Sequence, residues 1–164
     1  VQGEGSRLHH VGSGTITGGD EPLALRLRAI ADELERVLHD YRPQAVAVES
    51  IFHARNPKSA LLLGHARGVV LLCAARHDVE VFEYTAGQIK QATTGRGRAD
   101  KHQVRDMVRI LLGHPSVASL DASDALAAAI CHVHMQSSGS ARLIRGAENK
   151  GGRHEVRLRR RRPA

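Results

Sequence analysis

The run AVAVES, Ala45 to Ser50, most narrows what this chain can fold into. Alanine and valine alternate without a polar break until Glu49, the pattern of a strand buried on both faces. Helical patterns flank it. From Pro22 to Tyr41, apolar residues recur at Leu23, Leu27, Ile30, Ala31, Leu34, Val37, Leu38 and Tyr41, with charges on the other face. That is helical spacing, and Pro43 stops it. Pro57 opens a second helix running to about His77, apolar nearly all round through Leu61, Leu62, Leu63, Ala66, Val69, Val70, Leu71 and Leu72. A helix of that kind is either deeply buried or an interface. VEVFEY, Val79 to Tyr84, alternates as another strand. Strand and helix in alternation predict an α/β domain with parallel strands.

The rest of the chain extends this reading. VGSGTI, Val11 to Ile16, reads as a strand, and TGGDEP after it as a turn. Beyond Tyr84 the sequence predicts a short helix, a Gly/Arg loop and a further helix that Asp100 could cap. SLDASDALAAAICH, Ser119 to His132, predicts the last helix. After Gln136 the pattern dissolves into Ser, Gly and Arg, which predicts one domain over residues 1–136 and a disordered tail over 137–164. The charge divides in the same place. Of 24 Lys+Arg and 17 Asp+Glu, nine and two lie from Ser137 onward, which leaves fifteen of each before it. The net charge of +7 therefore argues for nucleic-acid affinity in the tail, not in the body. Cys73 and Cys131 sit in apolar runs and read as buried, reduced thiols. No unbroken apolar stretch approaches the ~20 residues of a membrane span. No basic-then-apolar signal opens the chain, so a cytoplasmic setting is expected.

Three acids are candidates for chemistry. Asp121 and Asp124 open the last helix, where an aspartate can serve as the cap. Glu49 ends the buried strand, the edge at which open α/β sheets gather ligands. A charge there must be solvated, paired or bound to a metal. An acid at a strand end together with D-x-x-D at a helix start suits a hard cation such as Mg²⁺, which takes few protein ligands and completes its shell with water or phosphate. CHVH, Cys131 to His134, lacks zinc-ligand spacing.

Three segments together carry a resemblance: AVAVESIFHARNPKSALLLGHARGVVLLCAA, VFEYTAGQIKQATTGRGRADKHQVRDMVRILL and DASDALAAAICHVH. In this order they resemble RuvC-type Holliday-junction resolvases, over roughly Gly12 to His134. The resemblance implies a ribonuclease-H-like fold: a mixed sheet flanked by helices, carrying acids that bind two Mg²⁺ ions, for which Mn²⁺ can substitute. It implies a homodimer that cuts four-way DNA junctions with paired symmetric nicks and acts with the RuvA/RuvB branch-migration complex. Glu49, Asp121 and Asp124 match acids of the family's site. Two metals ~4 Å apart can activate water and stabilise the leaving oxygen. The family also begins with a central strand carrying a first aspartate in a motif like GIDPG, which has no match here. That departure implies an N-terminally truncated chain, inactive and poorly folded as it stands.

The resemblance gives further residues a role. Phe52 matches an aromatic that stacks on a base at the opened junction, worth ~1–3 kcal/mol per base; otherwise it would be a core residue. Lys90, Arg96, Arg98 and Lys101 bracket the glycine loop. They are either a solvated face or phosphate contacts of the salt-dependent kind; Lys90 and Lys101 match basic residues near the family's site. Arg55, Lys58 and Arg67 are weaker candidates. The helix from Pro57 matches the family's dimer helix. Two other readings stay open: a noncatalytic junction-binding remnant, and a ribonuclease-H-like nuclease acting on RNA.

Overall fold

The computed structural model describes residues 1–5, 7–50, 56–113 and 119–137. Phe52, Arg55 and the basic tail beyond Ser137 lie outside them. The chain opens with a hairpin of β1 (Gln2–Glu4) and β2 (Arg7–His9), paired antiparallel. Then come α1 (Leu23–Tyr41), β3 (Ala45–Glu49), α2 (Pro57–Arg76), β4 (Glu80–Tyr84), α3 (Ala86–Thr94), α4 (Lys101–Leu111) and α5 (Leu120–Ser137). β3 and β4 pair in parallel, from Ala45 opposite Glu80 to Glu49 opposite Tyr84. The strands predicted at AVAVES and VEVFEY thus form, joined by α2, and the α/β reading holds.

Local chemistry sets the helix ends. Asn56 caps α2 by accepting the Lys58 N–H at 2.9 Å, with Pro57 in the first turn. Thr85 and Gln88 form a reciprocal capping box on α3, and Asp100 and Gln103 form one on α4. The cap expected from Asp100 is therefore present. Gly95 closes α3 with φ 73°, a left-handed conformation that glycine adopts without strain. Arg42 closes α1 with φ 43° and its N–H on the Leu38 carbonyl.

The strand predicted at Val11–Ile16 does not form. Its glycines and serine offer little side chain to pack and cost more backbone entropy than larger residues. The segment instead lies against helices. Gly12 lies so close to Tyr41 that an added Cβ would meet the Tyr41 Oη at 2.9 Å. Thr15 Oγ1 meets Ser119 Oγ at 3.0 Å. Strand pairing moves to the hairpin upstream, where Gly5 turns the chain at φ 60° and Gly3 packs against Val133 of α5.

The core lies where β4, α3, α4 and α5 meet: Tyr84, Ile89, Ala99, Val104, Val108, Leu112, Leu126, Ala127, Ile130 and Cys131 are all buried. The alanines of α5 let α3 and α4 approach closely. α1 packs on α2, which Arg76 reinforces through Glu35 at 2.9 Å. α2 is not the buried helix that its composition allows. Only Cys73 and Ala74 are fully covered, while Leu61, Leu63 and Leu72 remain 63, 51 and 53% exposed. Of the two readings for an all-round apolar helix, deep burial is the one that does not hold. By length and composition alone α2 is also apolar enough to cross a membrane, although no unbroken apolar run in it reaches that length. Lys58, His65 and Arg67 interrupt the run without lowering its average enough.

Candidate active site

Glu49 is the last residue of β3, and its carboxylate is exposed. Its backbone carbonyl accepts a bond from Arg67 Nη1 of α2 at 3.2 Å. Arg67 also ion-pairs with Glu83 of β4. Arg67, a weaker candidate for DNA, is thus engaged within the protein, with its side chain 21% exposed.

Asp121 and Asp124 both lie in the opening turns of α5, and both are exposed. Neither is the cap. Ser119 takes that role, accepting the Ala122 N–H on its Oγ at 3.0 Å. The capping reading of Asp121 therefore falls: the hydroxyl one residue before the helix holds the free N–H. At i and i+3 the two carboxylates share one helix face. Among the described residues, neither of them, nor the Glu49 carboxylate, has a hydrogen-bond or ion-pair partner. α5 touches β3, so the elements carrying all three acids are in contact. They are not drawn into one group: no cluster of three His, Cys, Asp or Glu able to hold a metal occurs among the described residues. As donors they still suit Mg²⁺: hard, unpaired oxygens that leave most of the coordination shell to water or phosphate.

The link between α5 and the sheet is aromatic and polar. His132 packs against Phe82 with ring centroids 4.4 Å apart and planes tilted by 46°, and its Nδ1 meets Tyr84 Oη at 2.9 Å. Burial pushes the Tyr84 hydroxyl up to about 12 and the Cys131 thiol up to about 11. His134 donates from Nδ1 to the Ala92 carbonyl at 3.0 Å. With these nitrogens bonded in the core and a buried thiol held protonated, CHVH packs α5 against its neighbours.

Burial also lowers the His132 pKa below its ordinary 6.5, and Glu80 only partly opposes this. The folded chain therefore favours neutral His132. Its contribution is complete above about pH 6.5, where folded and unfolded forms are both neutral. It is lost as pH falls from there through the folded pKa, because the unfolded chain takes up the proton first. His132→Gln is accordingly expected to unfold with a shallower loss of Tm between pH 6.5 and 5 than the parent. Parallel curves from thermal melts would contradict this.

The basic candidates cluster on the α3–α4 hairpin. Lys90 is half-buried on α3, Arg96 and Arg98 are exposed in the loop, and Lys101 opens α4. The loop is bonded into shape: Gln91 Nε2 donates to the Gly95 carbonyl at 3.0 Å, and the Ala99 N–H reaches the Arg96 carbonyl at 3.1 Å. The Gln103 N–H above all, with the N–H and charge of His102 and the Lys90 charge, holds the Asp100 carboxyl below its usual value against the opposing effect of burial.

Sequence reasoning missed the capping role of Ser119 and the contacts of Arg67 with Glu49 and Glu83. The serine stood two places before a D-x-x-D pattern that itself looks like a cap. Nothing in the sequence separation announces the contact of Arg67 with the end of β3.

Comparison with known proteins extends this picture. The family model described as Crossover junction endodeoxyribonuclease RuvC matches residues 1–132. A protein of that name from Syntrophotalea carbinolica is 57% identical over 131 residues, 79% of this chain and 81% of the relative. One from Geobacter sulfurreducens is 50% identical, covering 79% of this chain and 80% of the relative. Among solved structures, Thermus thermophilus RuvC superposes with a TM-score of 0.71 at 34% identity, covering 85% of each chain. T. thermophilus RuvC in complex with a Holliday junction substrate gives 0.68 at 39% identity, covering 74% of each.

Proposed function

The chain belongs to the RuvC family of crossover junction endodeoxyribonucleases, and we propose that Glu49, Asp121 and Asp124 are the acids with which it resolves four-way DNA junctions. Its fold is the ribonuclease-H-like one of its solved relatives. The observation that carries the proposal is the position of the three acids within the matched region, exposed and, among the described residues, unpaired on contacting elements. Mg²⁺ is the cofactor that this donor set suits, with Mn²⁺ as substitute. When bound, the metal would supply an activated water and neutralise charge on the leaving oxygen.

The chain's own residues hold and orient. β3 presents Glu49 from a strand end, and α5 presents Asp121 and Asp124 from its first turns. Arg96, Arg98 and Lys101 stand on an ordered loop from which cations can track phosphates, with Lys90 at its base. Phe52, three residues after Glu49 in the sequence, would by the family resemblance stack on an opened base. The exposed leucines of α2 suit a two-fold partner, and two copies would account for paired symmetric nicks. The working unit then comprises a nuclease domain over residues 1–136 and a basic tail from 137. It acts in the cytoplasm with the RuvA/RuvB branch-migration complex.

Parallel incubation of the protein with a four-way junction, a linear duplex and a structured RNA in Mg²⁺ tests this. Paired nicks in the junction alone are the expected outcome. Cutting of RNA would favour the ribonuclease reading. Junction binding without cutting would contradict the catalytic half of the proposal.

A further inference from the structure

Arg67 belongs to α2, yet its guanidinium ends at the corner where β3 and β4 finish. Nη1 reaches the Glu49 carbonyl at 3.2 Å while the other branch pairs with Glu83. That carbonyl has a particular need. The Ser50 N–H donates to the Tyr84 carbonyl at 2.8 Å. By the alternation of parallel pairing, the Glu49 carbonyl therefore points away from β4. Arg67 gives it a partner and ties the strand end to α2 and β4 together. The planar fork suits this double task, which a lysine ammonium on a flexible stem cannot reproduce in one geometry. Glu83 matters as well. Its carboxylate balances the guanidinium, so the clamp does not set an uncompensated positive charge beside a cation at Glu49.

We propose that Arg67, braced by Glu83, is a positioning residue that holds the end of β3 so that the Glu49 carboxylate is preset for the metal. The proposal rests on the reading of Glu49 as a metal ligand. Calorimetric titration of the full chain with Mn²⁺ tests it, comparing the parent with Glu49→Gln, Arg67→Ala, Arg67→Lys and Glu83→Gln, each with its Tm and junction affinity. Arg67→Ala is expected to weaken Mn²⁺ binding about tenfold, the low end for losing an outer-shell partner. Arg67→Lys should recover only part of that loss, and Glu83→Gln should weaken binding in the same direction. A lower Tm with unchanged Mn²⁺ affinity would reduce Arg67 to a structural brace and overturn the proposal. A loss confined to junction affinity would make it a DNA contact and overturn it too. If Glu49→Gln weakens Mn²⁺ binding and Arg67→Ala does not, only the clamp falls. If Glu49→Gln has no effect, the metal reading of Glu49 falls and takes the clamp with it.

Discussion

Asp124→Asn is expected to slow junction cutting by at least about 100-fold at saturating Mg²⁺. The amide keeps the shape and one acceptor oxygen but loses the charge that a hard cation requires. Losing an outer-shell partner already costs 10–100-fold in many metal sites, so losing a direct ligand should cost more. A factor of 100 corresponds to about 2.7 kcal/mol of barrier. Binding of the junction should not weaken, because the change removes a negative charge from a surface proposed to meet phosphates. Stability should shift by no more than a few tenths of a kcal/mol. Asp124 is exposed near the start of α5, where a carboxylate gains only modestly from the helix dipole. Single-turnover cutting rates and junction affinity, measured side by side, check this. A rate within tenfold of the parent would remove Asp124 from the site.

Ile130→Ala should act on the fold instead. Ile130 is fully buried on α5, in the cluster it shares with Val108, Leu112 and Leu126. Truncation removes transfer free energy and leaves a cavity, together costing about 2–5 kcal/mol. A domain of this size has only about 5–15 kcal/mol in hand. The variant should therefore show a large drop in denaturant midpoint with the m-value preserved. A loss below about 1 kcal/mol would mean that α5 is not packed against α4 as described.

The sequence was most readable where one period or one residue decides the structure. The 3.6-residue spacing of α1, the Ala/Val run of β3 and the Asp100 cap each depend on neighbours within a few positions, and each forms as expected. It was least readable where distant partners compete. Val11–Ile16 alternates like a strand, yet its small side chains settle against Tyr41 and Ser119 while the pairing passes to the hairpin before it. Glu49 stood out as a candidate from its place at a strand end, and Asp121 and Asp124 became candidates through Glu49 and the order of the segments around them rather than through their own spacing. The contact of Arg67 with the Glu49 carbonyl was not legible, because the two residues stand eighteen positions apart. The character of α2 lay between these cases. Its apolar girth was plain, but whether that surface faced inward or outward depended on how little of it α1 and β4 cover.

Whether the three acids act on one ion is the point on which the proposed function turns. Backbone amide spectra of the protein during a Mn²⁺ titration measure it directly, since the paramagnetic ion broadens signals of nearby residues. Broadening that appears together at the end of β3 and in the first turns of α5, and vanishes in Asp124→Asn, is the predicted result. Broadening that spares Glu49 and its neighbours, or that spreads equally over the acidic residues of the surface, would contradict it.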